Sequence, residues 1–474
     1  MSKKMEKITS RDVDFAQWYT DVVKNSGLID YGPVKGTMIF KPYGYAIWEN
    51  IQRIMDAQFK KLGVTNVYFP LLIPASLFNK EKDHIEGFAP EVATVTKVGD
   101  KVLAEELYIR PTSETLIVDH FAKEVKSYRD LPLLYNQWTS VMRWEKTTRP
   151  FLRSSEFLWQ EGHTIHSSKE EARNFTLNIL DLYATFARET LSLPVISGRK
   201  TEKEKFAGAK ETYTIEALMY DGQSLQSGTS HYFEDNFAKA FNIKFQNKEQ
   251  KEEFGYTTSW GMSTRIIGAI IMTHADDFGL VLPSKVAPIQ VQIININESD
   301  EVVNTSKQLF DQLVDDYRVN IDKTDKSFGF KISEAEIKGI PLRIEVGPRD
   351  LANGVVTISR RDIRSKEQIK LEDVKTYIDT QIQEYDKNIY NIALQNREQR
   401  TFKASTIEEY MKLLDEKQGF VLVPFCGEIS CENDIKEKTQ TNSRCIPDGV
   451  EQTKSKCFNC QKESNNMVYF ARAY

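Results

Sequence analysis

The chain has 474 residues, 40% of them hydrophobic, with 23 Gly and 15 Pro, enough to bury sizeable cores over roughly three domains; this excludes a fibrous or largely disordered chain. The net charge of −5 is no generic nucleic-acid footprint, which would be basic, so a nucleic-acid partner has to be met by a local patch or by base-reading contacts. No apolar run approaches the length of a membrane span and charges are spread through the N-terminal segment, so the expectation is a cytoplasmic enzyme with no signal segment and no membrane partner.

Residues 45–62 have helical period, with Ile47, Ile51, Ile54, Met55, Phe59 and Leu62 on one broad face, and residues 67–70 read as a strand ended by Pro70. Arg110-Pro111-Thr112-Ser113-Glu114-Thr115 precedes an apolar helical run and is, by itself, also an ordinary helix start. Two alternating stretches follow, 141–145 and 157–163, joined by a basic loop with Lys146, Arg149 and Arg153. Period two puts Arg143 and Glu145 on one face of the first, and Phe157, Trp159, Glu161 and His163 on one face of the second. An antiparallel hairpin would present all six to one surface, a set that solvated strand faces seldom carry. The chemistry suits a nucleotide polyphosphate: Arg offers a fork to phosphate, Phe stacks on a purine, and Glu accepts from an exocyclic amine. Beyond a helical stretch at 169–193 comes the polar turn Gln226-Ser227-Gly228-Thr229-Ser230-His231, which alone signals only a turn. Residues 256–272 then run from strand to buried helix through Gly261, Ser263 and Arg265. A cation at a helix N-terminus opposes the dipole by about 0.3–1 kcal/mol, which a bound anion would offset.

From Lys285 the texture changes to strand (288–294), helix (300–317) and short strands (342–346, 355–359), a compact α/β domain with a mixed sheet. A polar helix over 371–396 leads into a small module that holds all five cysteines. Cys426-x4-Cys431 and Cys457-x2-Cys460 have a spacing that suits tetrahedral Zn²⁺; the alternative is five reduced, buried thiols, as Cys445 is read here in any case.

Pro70 after a long helix, Arg143-x-Glu145 and Gly261-x-x-x-Arg265 resemble motifs 1, 2 and 3 of class II aminoacyl-tRNA synthetases. More narrowly, Arg110 to Thr115, Phe157 to His163, Lys200-Thr201-Glu202-Lys203-Glu204-Lys205-Phe206, Ser227 to His231, Val346-Gly347-Pro348-Arg349-Asp350 and Pro424-Phe425-Cys426-Gly427-Glu428-Ile429 resemble prolyl-tRNA synthetases of the archaeal/eukaryotic type, over nearly the whole chain.

That resemblance implies an antiparallel α+β catalytic domain (1–284), an α/β anticodon-binding domain (285–385) and a small α/β zinc-binding module (386–474). It implies a homodimer that joins L-proline to tRNA(Pro) through a prolyl-adenylate, with ATP, Mg²⁺ and a structural Zn²⁺ on Cys426, Cys431, Cys457 and Cys460. By the same likeness Arg143 and Arg265 are the catalytic arginines. Glu145, Arg153, Phe157, Gln226 and Thr229 join them on ATP, while Phe88, Thr112, Glu114, Trp159, Glu161, His163, Phe206, His231 and Ser263 form the proline site with Arg143. Phe330, Glu336, Glu345 and Arg361 are the anticodon candidates. The space between motifs 2 and 3 leaves no room for an editing insertion, and the aromatic tail should place Tyr474 on the first domain near the proline pocket. Two other readings are a class II ligase for threonine or glycine and an inactive tRNA-binding paralogue. The aromatic rings speak against the first, and the intact arginines against the second.

Overall fold

The computed structural model describes residues 8–80, 92–452 and 454–474. The alternating stretches become the centre of a large sheet. Strands Leu133–Met142, Glu156–His166, Tyr256–Ser263, Ser224–Glu234, Glu211–Leu218 and Ile196–Arg199 lie side by side, all antiparallel, and Thr65–Asn66 adds a parallel edge. Register decides which side chains meet. Trp159 is opposite Thr139 and Ser263, Glu161 is opposite Gln137 and Gly261, and His163 is opposite Tyr135 and Ser259. Gly261 and Ser259 are in turn opposite Thr229 and His231. Directly opposed residues share a face, so these polar and aromatic groups gather on one side of the sheet.

The intervening residues serve the main core on the other side. Trp260 and Met262 pack there with the buried stripes of helices Pro42–Lys61, Lys169–Leu191 and Arg265–His274. Gly162 is required by this layer, since a Cβ would lie 2.1 Å from the Trp260 ring. Helix Pro42–Lys61 buries Ile47, Ile51, Met55 and Phe59 as its period demands, and starts on a proline whose fixed φ suits the first turn.

Two local expectations need correction. Residues 67–70 are not a strand: only Thr65–Asn66 pairs with Leu133–Met142, and the chain then leaves the sheet, with the Phe69 N–H donating to the Gln137 side chain at 2.9 Å instead of to a ladder carbonyl. Arg143 and Glu145 do not share a strand face, because the strand ends at Met142. Arg143 is held beyond it by its N–H donating to Ser155 O at 2.8 Å.

The segment after Lys285 forms a five-stranded mixed sheet in the order Val319–Ile321, Val291–Asn295, Leu342–Val346, Val355–Arg360, Lys366–Lys370, with its own core. Helix Val374–Gln399 leads on to strands Thr401–Lys403, Phe420–Phe425, Asn466–Ala471 and Asn442–Pro447. These continue the first sheet, because Asn442–Pro447 pairs antiparallel with Ile196–Arg199, giving eleven strands in all. Gly198 permits the close approach: a Cβ there would fall 2.3 Å from the Ile446 carbonyl oxygen. No helix among the described residues is long and apolar enough to cross a membrane.

Candidate active site

The polar face of the sheet opens into a cavity of about 180 Å³. It is lined by Thr112, Glu114, Arg143, Phe157, Trp159, Glu161, His163, Phe206, Gln226, Thr229, His231, Ser263 and Arg265, all of them expected from the sequence. Phe88 lies outside the described residues.

Glu114 opens helix Glu114–Glu124 and is buried. One of its oxygens accepts from Thr112 Oγ1 and the other from Ser259 Oγ at 3.2 Å. Glu161 is engaged on every side: Ser113 donates from its N–H (3.1 Å) and hydroxyl (2.6 Å), Gln137 Nε2 lies at 2.6 Å, and His163 Nε2 at 3.0 Å. Burial works against a charge on His163, yet the bond to Glu161 and the fields of Glu114 and Glu161 carry its pKa above the usual value. His231 goes the other way: burial, then nearby His163, Arg143 and Lys200, bring it down to about 4 despite the Glu114 charge. Its ring lies 4.5 Å from that of Phe206, and its Nδ1 meets Thr212 Oγ1 at 3.0 Å. Trp159 forms a further wall; its indole Nε1 is buried with no hydrogen-bond partner among the described residues.

The cationic side is built on backbone anchors. Arg143 Nε donates to Pro111 O at 3.0 Å, and its guanidinium stands 5.4 Å from the rings of both Phe157 and Trp159. Arg265, the first residue of its helix, donates from Nε to Leu152 O at 2.9 Å. Burial, with Arg143 and Arg153 close by, lowers its pKa to about 10. Arg153 is half-exposed, 3.8 Å from Glu145. A half-buried arginine crowded by two others is a site prepared for a polyanion.

The lining also includes Glu204, Thr212 and Ser259, which the sequence reading missed. Ser259 was legible, since period two from Gly261 and Ser263 places it on the same face; Thr212 gives no such signal. Gln137, which holds Glu161, was equally invisible.

The anticodon candidates separate. Phe330 is exposed and Glu336 half-buried, whereas Glu345 is buried between Arg343 (3.0 Å) and Lys366 (2.7 Å). Arg361 lies in the contact with the first domain, its guanidinium bidentate to Asp276 at 2.6 and 2.8 Å. Tyr474 packs on the first domain: its hydroxyl donates to Asp221, its N–H to Ser224 O at 3.1 Å, and Arg149 stands 5.5 Å from its ring. It lies beside the strand that holds Gln226 and is not among the residues lining the cavity.

Cys426, Cys431, Cys457 and Cys460 bring four sulfurs within 4.8 Å of one another, with Cys431–Cys457 at 3.8 Å and Cys426–Cys460 at 3.6 Å. Disulfides require about 2.05 Å. Zn–S bonds of about 2.3 Å in a tetrahedron require sulfurs about 3.8 Å apart, so the cluster fits Zn²⁺.

Three family patterns match: "tRNA synthetase class II core domain (G, H, P, S and T)" over residues 96–274, "Anticodon binding domain" over 290–381, and "Prolyl-tRNA synthetase, C-terminal" over 407–474. The chain is 67% identical to a proline–tRNA ligase of Mesoplasma florum and 66% identical to one of Mycoplasma mycoides, in each case over the whole of both chains. It superimposes on the prolyl-tRNA synthetase of Cryptosporidium parvum, solved with halofuginone and AMPPNP, with a TM-score of 0.95 at 39% identity, covering 100% of this chain and 99% of that one. With its class II core, anticodon-binding domain and C-terminal module, this chain belongs to the prolyl-tRNA synthetase family.

Proposed function

We propose that the chain activates L-proline with ATP and transfers the prolyl group to tRNA(Pro), releasing pyrophosphate and then AMP. The observation that carries this reading is the meeting, in one cavity, of Arg143 and Arg265 with a buried carboxylate walled by aromatic rings. Proline is a small apolar ring with one cationic and one anionic end. Glu114 and Thr112 take its secondary ammonium; Trp159, Phe206 and His231 enclose the ring; Ser263 borders it. Glu161 and His163, already bonded to each other, support this wall from beneath. Arg143 meets both the proline carboxylate and the α-phosphate, with Phe157 stacked on the adenine and Glu145 on its amine. Arg265 and Arg153 hold the outer phosphates, and Gln226 and Thr229 sit by the ribose and the Mg²⁺-bound phosphates. Mg²⁺ arriving with ATP supplies further charge neutralisation. No general base is required, because the carboxylate is already a nucleophile: its oxygen bonds to the α-phosphorus as the bond to pyrophosphate breaks. Rate comes from positioning and from charge stabilisation.

The cysteine cluster holds a structural Zn²⁺. Division at 1–284, 285–385 and 386–474 is supported by the three matched segments, each of which falls inside one of these spans. Residues 167–255 are occupied by helix Lys169–Leu191 and by strands of the sheet and a short hairpin, which supports a member of the archaeal/eukaryotic type without an editing insertion. Phe330, Glu336 and Glu345 are proposed for the anticodon, with Arg361 as the strut behind them. Exposed Tyr68, Leu71 and Leu72 support a homodimer, and the family's role in translation supports a cytoplasmic location. ATP–pyrophosphate exchange with each amino acid in turn tests the reading. Exchange should depend on proline; dependence on threonine or glycine instead, or none at all, would overturn it.

A further inference from the structure

Loop 200–206 leaves strand Ile196–Arg199, contributes Glu204 and Phe206 to the cavity wall, and returns as strand Glu211–Leu218. Thr201 is its pivot. The Thr201 carbonyl accepts from the N–H groups of Glu204 (3.2 Å) and Lys205 (3.0 Å), so its position sets the turn that presents Phe206. Phe206 is then fixed by its own N–H donating to Thr212 Oγ1 at 2.9 Å, beside His231.

The side chain of Thr201 is anchored outside the catalytic domain. Its Oγ1 lies 2.9 Å from Ser443 Oγ, and Ser443 Oγ lies 2.6 Å from Glu432 Oε1. A hydroxyl has one hydrogen. Ser443 gives its hydrogen to Glu432, so Thr201 donates to Ser443, a one-way relay whose three members are 3%, 0% and 1% exposed. A second tie runs alongside it. Lys200 Nζ donates to one oxygen of Glu216 at 2.9 Å, and Arg444 donates to the other at 2.7 and 3.0 Å. Both ties connect the start of the loop to strand Asn442–Pro447, and Glu432 stands on helix Ile429–Thr439 behind it. Arg143 and Arg265 hang from other backbone anchors, Pro111 and Leu152, and do not share this relay.

We infer that Thr201, Ser443 and Glu432 are positioning residues through which the C-terminal module sets the shape of the amino-acid pocket, governing the affinity for proline and leaving ATP binding and the chemical step alone. This rests on the reading of the cavity wall around Phe206 as the proline site. Thr201 has the Glu432 carboxyl as well as Ser443 within reach, and a buried cluster of this kind resists rearrangement because leaving any one of its groups unpaired is costly.

The test is the KM for proline and for ATP, with kcat, from pyrophosphate exchange by the full chain, with a melting curve for each variant. Thr201→Val, nearly isosteric, should raise the KM for proline roughly fivefold, as loss of one hydrogen bond at a pivot does, with the KM for ATP and kcat within about twofold of wild type. Ser443→Ala should do the same, and the double variant should be no worse than either single one, since both break one relay. Thr201→Ser, which keeps the hydroxyl, should restore the wild-type KM. Tyr410→Phe removes a buried hydroxyl elsewhere in the same module, bonded to Thr441, and should leave every constant unchanged. An unchanged KM for proline in folded Thr201→Val and Ser443→Ala overturns the inference, and so does a parallel rise for proline and ATP. Should the wild type activate another amino acid, the reading of the pocket falls by itself, and the relay is judged by the same ratio for that amino acid.

Discussion

At the polar cavity, Arg143 and, outside the lining, Arg153 stand close enough to half-buried Arg265 to help lower its pKa to about 10; in the C-terminal module, four thiols stand within 4.8 Å of one another. Both are crowds of like groups, but they are held differently. Arg143 and Arg265 are each tied through Nε to a backbone carbonyl, so the fold carries their crowding without any ligand. The sulfurs are held less firmly: the Cys426 and Cys460 sulfurs accept from the backbone N–H groups of Glu428 and Lys462, but Cys457 is fully buried, Cys431 nearly so, and the polar partners of these two are other thiols and Asn459. The first arrangement suits a substrate that comes and goes, the second a resident ion. Loss of an arginine should therefore remove chemistry and spare the fold, and loss of a cysteine should do the reverse.

The largest effect should come from the second crowd. Cys457→Ser should abolish binding of one Zn²⁺ per chain, with a loss on the order of 10 kcal/mol of ordering free energy for the module. Elemental analysis and hydrogen exchange check this: amides over residues 419–474 should exchange faster while helix Pro42–Lys61 stays protected. A zinc-free wild type with the same protection would break the comparison. Next, Arg143→Ala should lower proline-dependent pyrophosphate exchange about 100- to 1000-fold with an unchanged melting temperature. Exchange within about tenfold of wild type would show that the cluster is not the phosphate site.

Acid sharpens the contrast. His231 and His274 are both held down to about 4, in each case chiefly by burial, so the unfolded chain takes up their protons first as pH falls. Stability should be level in this respect above the ordinary value of about 6.5 and should decline between there and pH 4, by roughly 2 kcal/mol from pH 6 to 5 for the two together. His163 is shifted upward, so its contribution is complete below about 6.5 and does not add to that slope. Denaturant midpoints against pH measure this, and His274→Gln should halve the slope. The smallest effect concerns selectivity. An apolar pocket rejects one methylene by only about 1–3 kcal/mol, so alanine and cysteine should be detectably activated. On the proposed reading of residues 167–255, which hold helix Lys169–Leu191, strands of the sheet and a short hairpin, as free of an editing insertion, the purified protein should not hydrolyse alanyl-tRNA(Pro). Rapid hydrolysis would reveal a second site.

Much of the cavity was legible because its residues sit on strands, where period two converts spacing directly into a shared face: Trp159, Glu161 and His163 on one strand, Gly261 and Ser263 on the next. Thr212 and Gln137 were not legible, because their roles arise from cross-strand register with distant segments, opposite His231 and Glu161. The same reason hid the union of the C-terminal module with the catalytic sheet: two short backbone contacts, Ile446 with Arg199 and Pro447 with Gly198, join segments far apart in sequence, and only Gly198 hints at the close approach. Arg361 is an anticodon candidate by resemblance alone, and its ion pair was not legible because the partner, Asp276, lies 85 residues away in the catalytic segment. The run at 67–70 reads as a strand because Pro70 looks like its end, whereas the Gln137 side chain replaces the ladder at Phe69.

The central claim is that one cavity binds the proline ring and the α-phosphate together through Arg143. Calorimetric titration with a nonhydrolysable prolyl-adenylate analogue tests it most directly. The wild type should bind the analogue at least about 100-fold more tightly than proline or ATP alone, and Arg143→Ala, with an unchanged melting curve, should lose most of that advantage. Equal affinity of the two proteins for the analogue, or no gain over the separate substrates, would contradict the account.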